Sequence, residues 1–401
     1  MEKARFKWVL RERNRKIAAK TEVFTEQQAR RVRSFHSSFK EYSPTPLVEL
    51  SSLAQNLGIK NLLVKDESYR FGLNAFKVLG GSFAIGSYIA NELGEDIDDL
   101  PYMRLVSDEV RSLLGSKTFI TTTDGNHGRG VAWTANRLKQ QAIVYMPQGS
   151  AAERLANIRA EGAQAEITDM NYDDTVRYTT SELAQKNGWI IVQDTAWDGY
   201  TRIPLWIMQG YMTMALEAYE QLPVKPTHIF LQAGVGSLAG SVQGFFADIY
   251  GSSCPLTFIV EPKGADCLYQ TAAANDGSLH SVTGRLETIM AGLACGEPNS
   301  IAWEILGNLS DGFISCPDYT AAQGMRILGN PLAGDTKVIA GESGAATVGL
   351  VAEAMRDERL NDLKQALQLD ENSVVLCFNT EGDTDKENYR RIVWDGAYGR
   401  E

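Results

Sequence analysis

Between Thr118 and Asn379 the chain alternates short apolar or β-branched runs with longer stretches whose apolar positions recur at helical spacing. Residues 118–122, 142–146, 165–167, 189–193, 228–232, 257–261, 337–339 and 374–379 read as strands. Helical spacing follows at 131–138, 152–161, 175–185, 204–219, 237–250 and from Ser343, while 262–336 reads as a long irregular region. Strand, helix, strand repeated this often predicts an α/β fold with mostly parallel sheets covered on both faces and connections of right-handed sense. Ligands in such sheets sit beyond the carboxyl ends of the strands.

Before this regular part, Thr25-Glu26-Gln27-Gln28 has the form of a capping box, and Val32, Phe35 and Phe39 continue a helix. Two prolines in Ser43-Pro44-Thr45-Pro46-Leu47 forbid its continuation. A strand-like Leu62-Leu63-Val64 and a helix to about Leu93 follow, then an acidic insertion at 94–117 carrying a short helix. The basic segment 1–20 lacks the uninterrupted apolar core of a signal peptide and reads as a surface segment of a cytoplasmic protein.

Composition narrows the partners. With 401 residues, 44% hydrophobic and 9% aromatic, the chain buries a large core and is expected to form two domains. A formal net charge of -11 and a pI near 5.1 argue against nucleic acid or an anionic membrane as the main partner. No apolar run reaches membrane-spanning length. Cys254, Cys267, Cys295, Cys316 and Cys377 form no C-x-x-C pair and read as buried free thiols, with a Cys267–Cys295 bridge left open.

Four stretches carry candidate chemistry. In Arg70-Phe71-Gly72-Leu73-Asn74-Ala75-Phe76-Lys77-Val78, one lysine stands between apolar neighbours at a loop-to-helix junction. Desolvation there would disfavour the ammonium, as a Schiff-base lysine requires; a helix-start lysine with its stem on apolar surface fits the same pattern. Thr121-Thr122-Thr123-Asp124-Gly125-Asn126-His127-Gly128 gathers polar groups at a helix N-terminus, an anion site or an elaborate N-cap. In Gln232-Ala233-Gly234-Val235-Gly236-Ser237-Leu238-Ala239-Gly240, glycines after a strand let backbone N–H groups approach a phosphate. Its G-x-G-x-x-x-G spacing is one residue longer than the dinucleotide fingerprint, yet Glu261 stands where a ribose-binding acid would. Asn379-Thr380-Glu381-Gly382-Asp383 presents a hydroxyl after the last strand, or is an ordinary turn. Gly341-Glu342-Ser343-Gly344-Ala345 nearly matches a serine-hydrolase elbow, but His36, His127, His228 and His280 all precede Ser343, which rules that reading out. No histidine pair has metal-ligand spacing.

In this order, and together with Thr45-Pro46-Leu47, the four stations resemble the fold-type II enzymes that use pyridoxal 5'-phosphate (PLP), over about residues 43–385. The wording of Lys65-Asp66-Glu67-Ser68, Arg70 to Lys77, Thr121 to Gly130, Asp169-Met170-Asn171-Tyr172-Asp173-Asp174, Gln193-Asp194-Thr195-Ala196-Trp197 and Met290 to Glu297 is similar to the diaminopropionate ammonia-lyase family. Ala75-Phe76-Lys77 and Asp124-Gly125-Asn126 stand where the wider group has Ser-x-Lys and Ser-Gly-Asn, which points away from hydroxyamino acids as substrates.

The resemblance implies two doubly wound domains with the active site between them: a larger PLP-binding one from 1–75 and 195–401, and a smaller one at 76–194. It implies that Lys77 carries PLP as a Schiff base and serves as a base, and that Asn126 bonds the ring oxygen. Gly234, Val235, Gly236, Ser237 and Gly240 would cradle the phosphate, and Thr380 would meet the pyridine nitrogen. Thr122, Thr123 and Gly125 would hold the substrate carboxylate, while Asp124 and Asp194 would face the substrate amines, Asp124 also as a second base. The implied reaction is α,β-elimination of 2,3-diaminopropionate, of either hand, to pyruvate and ammonia, in a cytoplasmic homodimer. The alternatives are a serine or threonine dehydratase of the same fold and a dinucleotide-binding regulatory module.

Overall fold

Strand residues of the larger sheet alternate between two apolar cores, so neither face meets water. Leu63, Ile229, Leu231, Ile259, Leu376 and Phe378 enter one core, while Leu62, Val64, Phe230, Phe258, Val260, Val375 and Cys377 enter the other. A period of two with both faces apolar is the pattern of a covered parallel sheet. The structure, a computed structural model, describes residues 6–12, 21–123 and 125–400.

Among the described residues, eleven strands form two sheets: β1 Lys7–Leu10, β2 Leu47–Glu49, β3 Asn61–Asp66, β4 Thr118–Thr122, β5 Gln141–Met146, β6 Gln164–Ile167, β7 Ile190–Ile191, β8 His228–Gln232, β9 Leu256–Pro262, β10 Gly312–Cys316 and β11 Val374–Asn379. The larger sheet runs β1-β10-β9-β8-β11-β3-β2 and the smaller β6-β5-β4-β7. Only the edge strands β1 and β2 are antiparallel to their neighbours; every other pairing is parallel. The fold is the mostly parallel α/β arrangement that the sequence pattern implies.

Four expectations are corrected. Part of the basic lead, Lys7–Leu10, pairs with β10 as an edge strand, although its outermost residues are exposed. The region 262–336 holds the helices Cys267–Ala274, Ser300–Leu309 and Asp318–Gly329 as well as β10. Residues 337–339 form no strand; Val338 N–H bonds Leu328 O and ties the segment to a helix instead. The stretch expected as a helix at 175–185 begins as Tyr172–Arg177, widens to a π-turn at Tyr178–Ala184 and ends as Gln185–Asn187. The N-cap half of the capping box forms: the Thr25 hydroxyl accepts from Gln28 N–H at the start of Glu26–Ser37.

Glycines let the central helix Val78–Leu93 sit close between its neighbours. A Cβ at Gly130 would lie 2.8 Å from Val78 Cα, and one at Gly210 would lie 2.4 Å from Leu79 O. Those glycines belong to the helices Asn126–Arg137 and Arg202–Gln221, so both pack backbone-close on the first turn of the central helix. Below it a buried charge cluster fixes the incoming chain. Lys65 Nζ lies 2.9 Å from Glu217 Oε2; Arg70 bonds Glu67 at 2.8 Å and Glu217 at 2.7 Å. The Thr45 hydroxyl donates to Glu67 at 2.6 Å. Burial pushes the Glu217 carboxyl up, but the Arg70 and Lys65 cations hold it well below the usual carboxylate range.

Candidate active site

The lysine loop is folded back on itself by residues in left-handed conformations. Phe71, Gly72 and Asn74 have φ of 51°, 72° and 60°, after which Lys77 caps the helix Val78–Leu93. Backbone bonds stitch this loop to the one leaving β11: Phe76 N–H to Thr380 O at 3.1 Å and Gly382 N–H to Asn74 O at 3.0 Å. Gly382 is required there, since a Cβ would lie 2.0 Å from Asn74 Oδ1. Two stretches three hundred residues apart in sequence thus meet at one place.

Across from Lys77 stands Asp194, just after β7. Lys77 Nζ donates to Asp194 Oδ2 at 2.7 Å, and the Ser237 hydroxyl donates to Asp194 O at 2.5 Å. Burial pushes the Asp194 carboxyl up, but the Lys77 cation and then His127 overcome it and hold the group at about 2. The carboxylate is therefore ionised throughout the neutral range.

These groups line one cavity, whose enclosed space and solvent-open mouth together come to about 560 Å³. Lys77, Asn126, Asp194, Gly234, Val235, Gly236, Ser237 and Thr380 all contribute to its wall. Gly236, at φ 98°, opens the helix Ser237–Tyr250, whose first N–H groups face the Gly-rich turn. A side chain at Gly234 would be crowded: a Cβ would lie 3.2 Å from both Cys295 Sγ and Leu293 Cα. Gln232 Nε2 donates to the Thr380 hydroxyl at 2.9 Å, so the hydroxyl proton is left for another acceptor. Asn126 Nδ2 donates to Glu381 Oε2 at 2.5 Å.

Other residues singled out from the sequence stand elsewhere. Gly240 does not line the cavity; its N–H is spent on Gly236 O and it packs on Ala302 and Met208, one helix on another. The Thr122 hydroxyl turns to Thr179 at 2.8 Å, and the Thr123 hydroxyl accepts from Gly125 and Gly128 N–H, capping the helix Asn126–Arg137. Asp124 lies outside the described residues. Glu261 offers nothing to a ribose, because both its oxygens accept backbone N–H groups of Leu268 and Tyr269 deep in the protein. None of the five cysteines is joined in a disulfide, so there is no Cys267–Cys295 bridge.

Four wall residues escaped the sequence reading as site groups. Gln232 and Glu381 adjoin stations that were recognised, so proximity was their only signal. Ser343 was weighed only as a hydrolase nucleophile, and Tyr211, in the middle of a helix, carried no signal. The Tyr211 and Ser343 hydroxyls and Gln232 Oε1 are buried without a hydrogen-bond partner among the described residues. Glu342, beside Ser343, is pushed up to about 7 by burial and by the charge of Glu381. A wide cleft lined by Arg154, Tyr172, Asp173 and Glu342 lies beside the cavity and shares Cys295 with it.

The cavity suits PLP group by group. It has an amine at Lys77, a helix N-terminus with a glycine turn for a phosphate, an amide at Asn126, a hydroxyl proton at Thr380 and unsatisfied buried hydroxyls that await a polar guest. Among the described residues no cluster of His, Cys, Asp or Glu could hold a metal ion, and no helix is long and apolar enough to cross a membrane.

Comparison with known proteins gives a consistent result. Residues 39–380 match the family model described as pyridoxal-phosphate dependent enzyme. The diaminopropionate ammonia-lyase of Escherichia coli K12 is 50% identical over 380 residues, 94% of each chain. The crystal structure of the holo form of the E. coli enzyme superposes with a TM-score of 0.91 at 48% identity, covering 99% of this chain and 98% of that one. Another E. coli structure, with an aminoacrylate-PLP azomethine reaction intermediate, gives 0.89 at 48% identity over 99% and 98% of the two chains.

Proposed function

The chain belongs to the pyridoxal-phosphate dependent enzymes and, within them, to the diaminopropionate ammonia-lyases, and we propose from that premise that Lys77, Asp194 and Asp124 manage the protons of an α,β-elimination. The substrate is 2,3-diaminopropionate, and the products are pyruvate and ammonia. The observation that carries the reading is the Lys77–Asp194 pair, 2.7 Å apart, on the wall of the cavity that also holds the glycine turn and Thr380. PLP, when bound, withdraws electrons from the substrate Cα so that its proton can leave.

The protein's own groups do the rest. Gly234, Val235, Gly236 and Ser237 bind the phosphate with backbone N–H groups and a helix dipole. Asn126 Nδ2 serves the ring oxygen. Thr380, a neutral donor whose hydroxyl already accepts from Gln232, serves the pyridine nitrogen without adding charge. Phe76, Leu293 and Cys295 exclude water from the reacting atoms. Lys77 Nζ takes the α-proton on one face, and Asp124 is assigned the other, which lets both enantiomers react. Thr122, Thr123 and Gly125, whose hydroxyls and N–H are bonded within the protein, shape the loop that meets the substrate carboxylate in this reading.

Asp194 handles the leaving group. A β-amine departs well only as an ammonium, and a carboxylate at Asp194 favours that form because a cation, first Lys77 and then the β-ammonium, holds it below the usual carboxylate range. Asp194 thus acts through charge on the β-nitrogen rather than by giving up a proton of its own. A hydroxyl leaving group gains nothing from such an anion, which favours the amino substrate over serine. The reading also includes a cytoplasmic homodimer, on family likeness, and a smaller domain at 76–194, supported by the four-stranded sheet lying within it. Pyruvate release from D- and L-diaminopropionate and from serine tests the function; serine turning over faster than both would overturn it. Asp124→Asn is expected to impair one enantiomer more than the other, and equal loss on both rejects the second base.

A further inference from the structure

The near match to a hydrolase elbow at Gly341-Glu342-Ser343-Gly344 has a use once Glu381 is placed against it. Glu381 is buried, with its side chain pressed onto the first turn of the helix Glu342–Arg356. A Cβ at Gly341 would lie 2.9 Å from Glu381 Cγ and 3.1 Å from its Cδ, and one at Gly344 would lie 3.0 Å from Glu381 O. Gly341 leaves room for the carboxylate arm, and Gly344 for the backbone of Glu381 and the side chain of Asn379. There Oε1 accepts from Ser343 N–H at 3.2 Å, at the positive end of the helix dipole. The other oxygen accepts from Asn126 Nδ2 at 2.5 Å and from the Thr384 hydroxyl at 3.5 Å.

We propose that Glu381 is a positioning residue for Asn126, fixing which end of its amide faces the cofactor. A carboxylate can only accept, so the atom turned toward it must be the amide nitrogen. That nitrogen has a second N–H, and both residues line the cavity, so the second N–H is left for the ring oxygen of PLP. The inference rests on the reading of Asn126 as the partner of that oxygen.

The test reconstitutes wild type, Glu381→Gln, Asn126→Ala and the double variant with PLP and reads two quantities besides activity: the dissociation constant for PLP, and the pH midpoint of its visible absorbance. In Glu381→Gln the new side chain has the same shape but also donates, which frees the Asn126 amide to turn over. Expected is a PLP affinity roughly ten- to a hundredfold weaker, the worth of one hydrogen bond to a charged group. The midpoint should move as far as in Asn126→Ala, with no further change in the double variant. Wild-type values in Glu381→Gln beside shifted values in Asn126→Ala, or additive losses in the double variant, overturn the proposal while the Asn126 reading stands. Wild-type values in Asn126→Ala overturn that reading instead. Glu381→Asp, which keeps the charge but falls short of Asn126, carries the same expectation should Glu381→Gln fail to fold.

Discussion

Replacing Asp194 by Asn separates a leaving-group role from a structural one. The amide keeps the shape and leaves the Ser237–Asp194 contact intact, since that bond goes to the backbone oxygen. What is lost is one negative charge beside a cation at 2.7 Å. Unit charges 4 Å apart attract by about 4 kcal/mol at an effective dielectric near 20. Burial of the pair offsets part of this, leaving the ~1–3 pKa units usual for a close opposite charge. The β-amine of the substrate would then be protonated roughly ten- to a thousandfold less often, and kcat/KM for pyruvate release should fall by a similar factor. β-Chloroalanine supplies the control, because chloride leaves without a proton. On it Asp194→Asn should lose less than about tenfold, a loss small beside the proton-transfer contributions of about a hundredfold or more. Equal losses on both substrates would refute the leaving-group role and leave Asp194 as a group that merely holds Lys77.

The remaining predictions concern pH, the cofactor turn and the scaffold. Asp194 is depressed from 3.8 to about 2, so its pairing stabilises the fold above pH 3.8 and is lost as pH falls toward 2. Acid unfolding of Asp194→Asn should show a shallower slope in that window alone, and an unchanged slope would count against the pairing. Gly236→Ala places a side chain at φ 98°, 3.2 Å from Leu268 Cδ1 and Leu306 Cδ1. A strain of about 1–2 kcal/mol should weaken PLP about tenfold in an absorbance titration. Glu217→Gln removes the anion shared by Lys65 and Arg70 and should cost about 3–5 kcal/mol in urea unfolding; a loss below ~1 kcal/mol would show that the cluster relaxes freely.

Elements with β-branched or apolar runs between polar loops were legible from sequence. Thr118–Thr122, His228–Gln232, Ser237–Tyr250 and Val374–Asn379 fall at the residues the pattern indicates. Gly312–Cys316 did not, because only Phe313 and Ile314 are strongly apolar and its burial comes from neighbours on both sides. Lys7–Leu10 gave no signal either: it is an edge strand with exposed ends and one partner. Residues 337–339 misled in the other direction, an apolar run whose backbone is claimed by Leu328 rather than by a sheet.

The site was legible as stations and illegible as wiring. Lys77, Asn126, the glycine turn and Thr380 stand out by residue type and position after strands or before helices. The reach of Glu381 to Asn126 and of Gln232 to Thr380 spans 255 and 148 residues of chain, which no local pattern encodes. Glu261 shows the same lesson in reverse, since the spacing of a ribose acid turned out to serve two backbone N–H groups of its own fold.

The central claim is that Lys77 carries the cofactor of an enzyme that eliminates ammonia from diaminopropionate. The most direct measurement treats the PLP-loaded protein with borohydride, maps the modified peptide by mass spectrometry and assays pyruvate release before and after. The account predicts a pyridoxyl group on Lys77 and loss of pyruvate release in proportion to labelling. A label on another lysine, or full labelling of Lys77 with activity unchanged, would contradict it.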